Sequence, residues 1–192
     1  MLDVTKFRAS FRRMKKLVCL LIFAATPGLA TCPAPPDIAA AQAKIFLDAK
    51  AARTHAEGRT ISPRLWELWL QAPDDTAQEM LDSGMGALRV SDFVTALDHL
   101  DRLVAYCPDY AEGYNQRAFV NYLNQNFAAV LSDLDLALER QPQHVGALSG
   151  KALTLMGLGR EEEAQIVLRE AVMLNPWISE ASLLKIPLGE EL

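Results

Sequence analysis

The sequence predicts an all-α chain, an α-solenoid of stacked helical hairpins, and three observations carry that prediction. Pro108, Pro142 and Pro176 are each separated by 34 residues. Other positions fall in phase with them: Gly84 with Ala118 and Ala152, Ala96 with Ala164, Leu100 with Leu134 and Leu168, and Met80 with Tyr114 and Leu148. A fixed period of this size is the mark of a stacked repeat. No run of alternating β-branched residues bounded by turns competes with that reading.

From the N-terminus, residues 1–30 resemble a secretory signal peptide. Six basic side chains, Lys6, Arg8, Arg12, Arg13, Lys15 and Lys16, precede the apolar run Leu17–Ala25. That run is too short to span a bilayer, which takes about 20 residues. Gly28-Leu29-Ala30 offers a cleavage site after Ala30. Met14 directly precedes Lys15-Lys16, which points to translation starting there. An uncleaved anchor is the other reading. Leu29-Ala30-Thr31-Cys32 is similar to a bacterial lipobox, with Thr31 where Gly, Ala or Ser is usual. Three fates are open to Cys32: acylation, a disulfide with Cys107 in an oxidising compartment, or a free thiol.

Residues 31–36 form a proline-rich extended linker. Asp37 then caps a helix expected to run to about Glu57 and to stop at Gly58, with Ile38, Ala41, Ile45 and Ala49 on one face. Ser62 is the expected cap of a shorter helix with Pro63 in its first turn. Counting back one period places Trp66 and Trp69 opposite Leu100 and Leu103, so residues 37–76 read as a degenerate leading helical pair. The helical spacing of the two tryptophans is that of a core stripe; a ligand site is the alternative.

Three regular units follow, 77–110, 111–144 and 145–178. Their first helices are expected near 77–89, 111–124 and 145–158, and their second near 92–105, 127–140 and 161–174. The small residues mark the closest helix crossings, where an added side chain forces the axes apart at about 1–3 kcal/mol. On that basis Gly84→Leu should destabilise and Asp92→Leu should do little. Each proline comes at a helix end because its ring clashes with the preceding turn. Gly159 suits a left-handed stop, and Glu161, Glu162 and Glu163 place negative charge at the positive end of the next helix. Residues 179–192 supply a closing helix, Ser179–Lys185, and a tail. A solenoid needs such an end to cover its last apolar face.

The 192 residues carry a formal net charge of −5 and are 51% hydrophobic, enough for a core. With the basic leader set aside, 23 acids face thirteen basic residues. An acidic body is repelled by phosphate backbones, which argues against nucleic-acid binding.

The period and its residues resemble the tetratricopeptide repeat (TPR). Ala111–His144 is the cleanest copy, with Tyr114, Ala118, Tyr122, Phe127, Leu134, Ala137 and Pro142 at the pattern's positions. Val130, where alanine is usual, and Leu103, where the other copies have Ala137 and Ala171, depart from it. The resemblance implies helix-turn-helix units whose first helices line a concave binding face. Carried over residue by residue, that face holds Gln78, Leu81, Met85 and Leu88, then Glu112, Asn115, Phe119 and Tyr122, then Gly146, Ser149, Leu153 and Met156. Some TPR domains clamp a partner's C-terminal carboxylate with Lys, Asn and Arg there. Here Leu81, Met85, Gly146 and Gly150 stand at those positions, which argues against a clamp. Met85, Asn115, Phe119, Tyr122, Ser149, Leu153 and Met156 are the candidate peptide-binding groove, unless the chain's own leading helix covers them.

No catalytic set accompanies this surface. His55, His99 and His144 lack ligand spacing, no phosphate-cradling loop or nucleophile elbow is present, and Asp133 and Asp135 read as neighbouring acids on an outer helix. The expectation is a non-catalytic protein- or peptide-binding module without metal or cofactor, exported to the periplasm or cell envelope. It would touch a membrane only through a lipidated Cys32 or an uncleaved signal. The alternative is a structural or assembly accessory subunit tethered through Cys32.

Overall fold

A computed structural model of the chain describes residues 31–185, so residues 1–30, where a leader is expected, and residues 186–192 lie outside the described residues. The elements are α1 (Ala39–Ala51), α2 (His55–Gly58), α3 (Ile61–Trp69), α4 (Asp75–Arg89), α5 (Phe93–Tyr106), α6 (Ala111–Leu123), α7 (Phe127–Arg140), α8 (Val145–Gly157), α9 (Glu161–Leu174) and a 3-10 helix, Ser179–Leu183. No strand occurs among the described residues. Helices α4 and α5, α6 and α7, and α8 and α9 pair as hairpins, and neighbouring hairpins nest through α5 on α6 and α7 on α8. This is the predicted all-α solenoid.

The 34-residue period is written in the turns as well as the core. Within each hairpin the first helix ends in the same double hydrogen bond. Asp92, Asn126 and Arg160 donate their backbone N–H to Ala87, Asn121 and Leu155 at 3.0, 2.9 and 2.9 Å, and the preceding residue in each case donates to the carbonyl three back. This is a Schellman stop, which requires a left-handed residue just past the helix. Gly159 has φ of 73°, as its type suggests, but Ser91 and Gln125 hold the same place at 60° and 59°. Between hairpins, Cys107, Gln141 and Asn175 donate N–H to Leu103, Ala137 and Ala171 at 2.8, 2.9 and 2.9 Å, and the repeating proline follows each.

Side chains with the same spacing tie one hairpin to the next. Arg117 bonds Asp101 at 2.8 Å and forks onto Asp133 at 2.9 and 2.5 Å; one period on, Lys151 bonds Asp135 at 2.6 Å. Asp133, read from the sequence as one of two neighbouring acids on an outer helix, is a buried, paired carboxylate. Bonding to Asp133 is the main reason that the Arg117 guanidinium is held above its usual pKa.

At the predicted crossings Ala96, Leu100, Leu103, Ala118, Val130, Leu134, Ala137, Ala152, Ala164, Leu168 and Ala171 are all buried. A Cβ at Gly84 would sit 2.9 Å from Leu100 Cγ and 3.1 Å from its Cδ2. Gly84→Leu is expected to cost about 1–3 kcal/mol in a urea or thermal melt, and Glu79→Leu on the exposed side of α4 should cost far less. Equal losses would mean that α4 does not meet α5 at Gly84. Asp92 is not the neutral site the sequence suggested. Its carboxylate caps α5 by accepting from Thr95 N–H at 3.1 Å, and hydrogen bonding from Thr95, its side chain first and its backbone second, holds the Asp92 pKa below the ordinary range.

The leading segment departs from expectation in three ways. First, the helix from Asp37 breaks early: Ala52 is extended, and Thr54 and Glu57 form a reciprocal capping box that starts the one-turn helix α2. Second, Ser62 is not a cap. Helix α3 begins at Ile61, and Ser62 Oγ accepts from Asn175 Nδ2 at 3.2 Å. Third, α1 and α3 do not stack ahead of α4 as a preceding repeat. They pack together and onto the last hairpin, so that Ile45, Phe46, Ala49, Ile61, Leu65 and Trp69 share one core with Val145, Leu148, Ala152, Leu168, Ala171 and Val172.

Polar contacts fix this docking. Trp177 Nε1 donates to Ala49 O at 2.9 Å, and its ring lies on Gly58, where a Cβ would come within 2.1 Å of it. Gln42 Oε1 accepts from both Trp69 Nε1 at 2.9 Å and Gln141 Nε2 at 2.7 Å. Cys32 is joined to Cys107 by a disulfide. A sulfur so bonded has no valence for a thioether to a diacylglycerol, so this arrangement and the lipid tether exclude each other. At the C-terminal end the closing element is a 3-10 helix rather than an α-helix to Lys185.

Candidate binding groove

The first helices of the three hairpins turn their inner faces toward one groove of about 640 Å³. Met85 and Leu88 come from α4, Asn115, Phe119 and Tyr122 from α6, and Ser149, Gly150 and Leu153 from α8. Six of the seven candidate residues thus meet there. The exception is Met156, which packs partly buried against the core shared by α1, α3, α8 and α9. The groove is not an open trough. Trp66, Trp69 and Leu70 of the leading segment wall it, with Ile178, Ser179 and Glu180 following the last hairpin.

Three positions assigned to the concave face serve other purposes. Leu81 is fully buried in the core of the first hairpin. Gly146 is covered: a Cβ there would lie 2.9 Å from Trp66 Cη2, so its close approach is to the chain's own indole. Glu112 is 1% exposed and accepts from His144 Nε2 at 2.8 Å, Asn115 Nδ2 at 3.1 Å and Gln116 Nε2 at 2.5 Å.

His144 organises this corner. It caps α8 by accepting from Ala147 N–H through Nδ1 at 3.1 Å, which leaves the proton on Nε2 for Glu112. Trp69 stacks on the imidazole, with ring centroids 3.9 Å apart. Trp69 O accepts from the Tyr110 hydroxyl at 2.7 Å. Burial, with Glu112 and Asp82 adding negative charge nearby, pushes the Tyr110 pKa well up and keeps it a donor. Sequence spacing missed this cluster because Glu112, Tyr110 and Trp69 lie 32, 34 and 75 residues from His144. The sole local sign was a polar residue, His144, just before a helix.

Inside the groove the polar groups are few. Asn115 is held by Glu112, whereas Ser149 Oγ is buried with no hydrogen-bond partner. Phe119 is half exposed on the groove wall. Among the described residues no group of three or more His, Cys, Asp or Glu could hold a metal ion, and no helix is long and apolar enough to cross a membrane.

The hairpin geometry has well-defined relatives. The Arabidopsis OM64 TPR domain superposes with a TM-score of 0.56 at 20% identity, covering 58% of this chain and 92% of that one. The TPR2B domain of yeast Sti1, solved as a pHsp70 complex, superposes with a TM-score of 0.54 at 23% identity, covering 58% and 91%. A TPR repeat-containing protein of Rhizobium etli is 30% identical over 119 residues, 62% of this chain. The matched stretch spans 58% of that relative's length. No family model matches the chain. These likenesses give the fold: the hairpins of the described residues are arranged as in tetratricopeptide-repeat domains.

Proposed function

We propose that this chain is a non-catalytic, exported TPR module that binds a protein or peptide in its concave groove. The observation that carries this reading is the groove itself, where the first helices of three successive hairpins present Met85, Phe119, Tyr122 and Leu153 to one space. Burying such residues supplies most of the binding free energy, and the few polar groups fix orientation. A similar fold in the Sti1 domain is seen in a pHsp70 complex, which supports a peptide or protein as the ligand class. Recognition here differs from a carboxylate clamp, since Leu81 is core, Gly146 is covered, and Met85 and Gly150 carry no charge. Export is supported by the leader-like residues 1–30 and by the Cys32–Cys107 disulfide, a bond that persists in oxidising compartments.

The test replaces Phe119 and Tyr122 with Ala together and repeats a partner pull-down from the native envelope fraction. Recovery of the partner should fall at least tenfold, with little change in the melt from half-exposed Phe119 and a modest loss from Tyr122, which is partly buried against the core at Val130 and Leu134. Undiminished recovery with the fold intact would remove the groove from the account.

A further inference from the structure

Two features of the groove specify its occupant more closely than the module class does. The first is its wall. Trp66 stands over the first turn of α8 at Gly146, and Trp69 is fixed beside it on His144. An extended chain crossing the groove at that level meets the indole of Trp66. The second is Ser149. Its Oγ is buried among the lining residues, its residue is only 8% exposed, and it lacks the bond to a preceding helix carbonyl that Thr154 makes with Gly150 O at 2.7 Å. A buried hydroxyl without a partner is uncommon and calls for one. The charged lining side chains are Arg89 and Glu180, one of each sign, and Arg89 is exposed. The aromatic and aliphatic interior therefore favours an uncharged group, since burying an unpaired charge there would be costly.

Resting on the groove reading above, we infer that the bound peptide inserts a bulky uncharged side chain, aromatic or branched, end-on between Trp66, Phe119, Tyr122 and Leu153, with a neighbouring peptide group hydrogen-bonded to Ser149 Oγ once rotation about χ1 turns the hydroxyl from its closed position toward the groove. The hydroxyl serves either partner, because it donates one hydrogen bond and accepts others. The partner is thus recognised by an apolar plug on a turn or chain end rather than by a long strip laid along the helices.

The experiment uses the full chain and four terminally blocked Gly-Ser decapeptides carrying Phe, Leu, Lys or Asp at two adjacent central positions. Binding is read from amide chemical shifts and tryptophan fluorescence. The Phe and Leu peptides should bind at least tenfold more tightly than the Lys and Asp peptides, with shifts at Ser149 and Phe119. Ser149→Ala should weaken the Phe peptide about fivefold, the worth of one neutral hydrogen bond, without lowering stability, because no partner is lost. Equal binding of all four peptides would overturn the inserted side chain while leaving the groove reading in place. A Phe preference unchanged by Ser149→Ala would overturn the anchor. Binding of N-phenyl-1-naphthylamine with none of the peptides would overturn both readings in favour of a small apolar ligand. No binding of any probe would overturn both.

Discussion

Trp69→Ala is expected to cost about 3–5 kcal/mol, the range for removing a buried aromatic side chain. Trp69 is 3% exposed and stacks on His144, and its indole N–H is bonded to Gln42. Its loss empties the junction between the leading segment and the third hairpin and removes the cover from the buried Glu112–His144 pair. Trp69→Phe keeps a ring against the imidazole but leaves Gln42 without that donor, so it should lose less. Trp66→Ala should also lose less, because Trp66 is only partly buried. Urea unfolding of the three variants checks the order. A loss below about 1 kcal/mol for Trp69→Ala would mean that α3 is not docked on the third hairpin, since full burial of such a ring is worth more.

Cys32→Ser is expected to lower stability by about 2–5 kcal/mol, the usual consequence of opening a disulfide that closes a long loop. Cys32 and Cys107 are 75 residues apart, and the loop between them contains the whole leading segment and the first hairpin's two helices. Opening it lets the unfolded chain expand and removes little packing from the folded one. Cys32 is the better site to change, because Cys107 is buried at the end of α5 and can remain there as a small apolar residue. The wild-type chain in reductant should melt with the variant, and the variant should not respond to reductant. If reductant leaves the wild-type melt unmoved while thiol titration shows both sulfurs free, the bond adds nothing to stability.

The hairpins were legible in the sequence because their determinants are local and repeat. A small residue at Gly84, Ala118 and Ala152, and a proline past each second helix, fix helix ends within one or two residues. The leading segment was legible only in part. The stripe of Leu65, Trp66 and Trp69 says that one face of α3 is buried, but an amphipathic pattern does not say against what. Its partner lies with Val145, Leu148 and Ile178, more than 75 residues on, through contacts that no local pattern encodes. The early break at Ala52 was readable in principle, since Thr54-His55-Ala56-Glu57 is a capping-box sequence.

The same distinction explains the groove. Met85, Phe119, Tyr122 and Leu153 follow from the resemblance to the tetratricopeptide repeat, carried over in register. Glu112 did not, because its burial depends on His144 in the next turn between hairpins. Met156 did not, because the helices that fold back from the N-terminus complete the core that takes it. Ser149 was placed in the groove by the same resemblance, but its unpartnered hydroxyl is visible only in three dimensions.

The shape of the groove depends on the leading helices lying against the third hairpin, and a NOESY spectrum of the folded chain tests that placement most directly. Cross-peaks are expected between the ring protons of Trp69 and His144, stacked at 3.9 Å, and between the Trp177 indole N–H and Ala49, whose carbonyl it meets at 2.9 Å. A spectrum with the contacts inside the three hairpins but neither of these would contradict the account, leaving an open solenoid whose groove is unwalled.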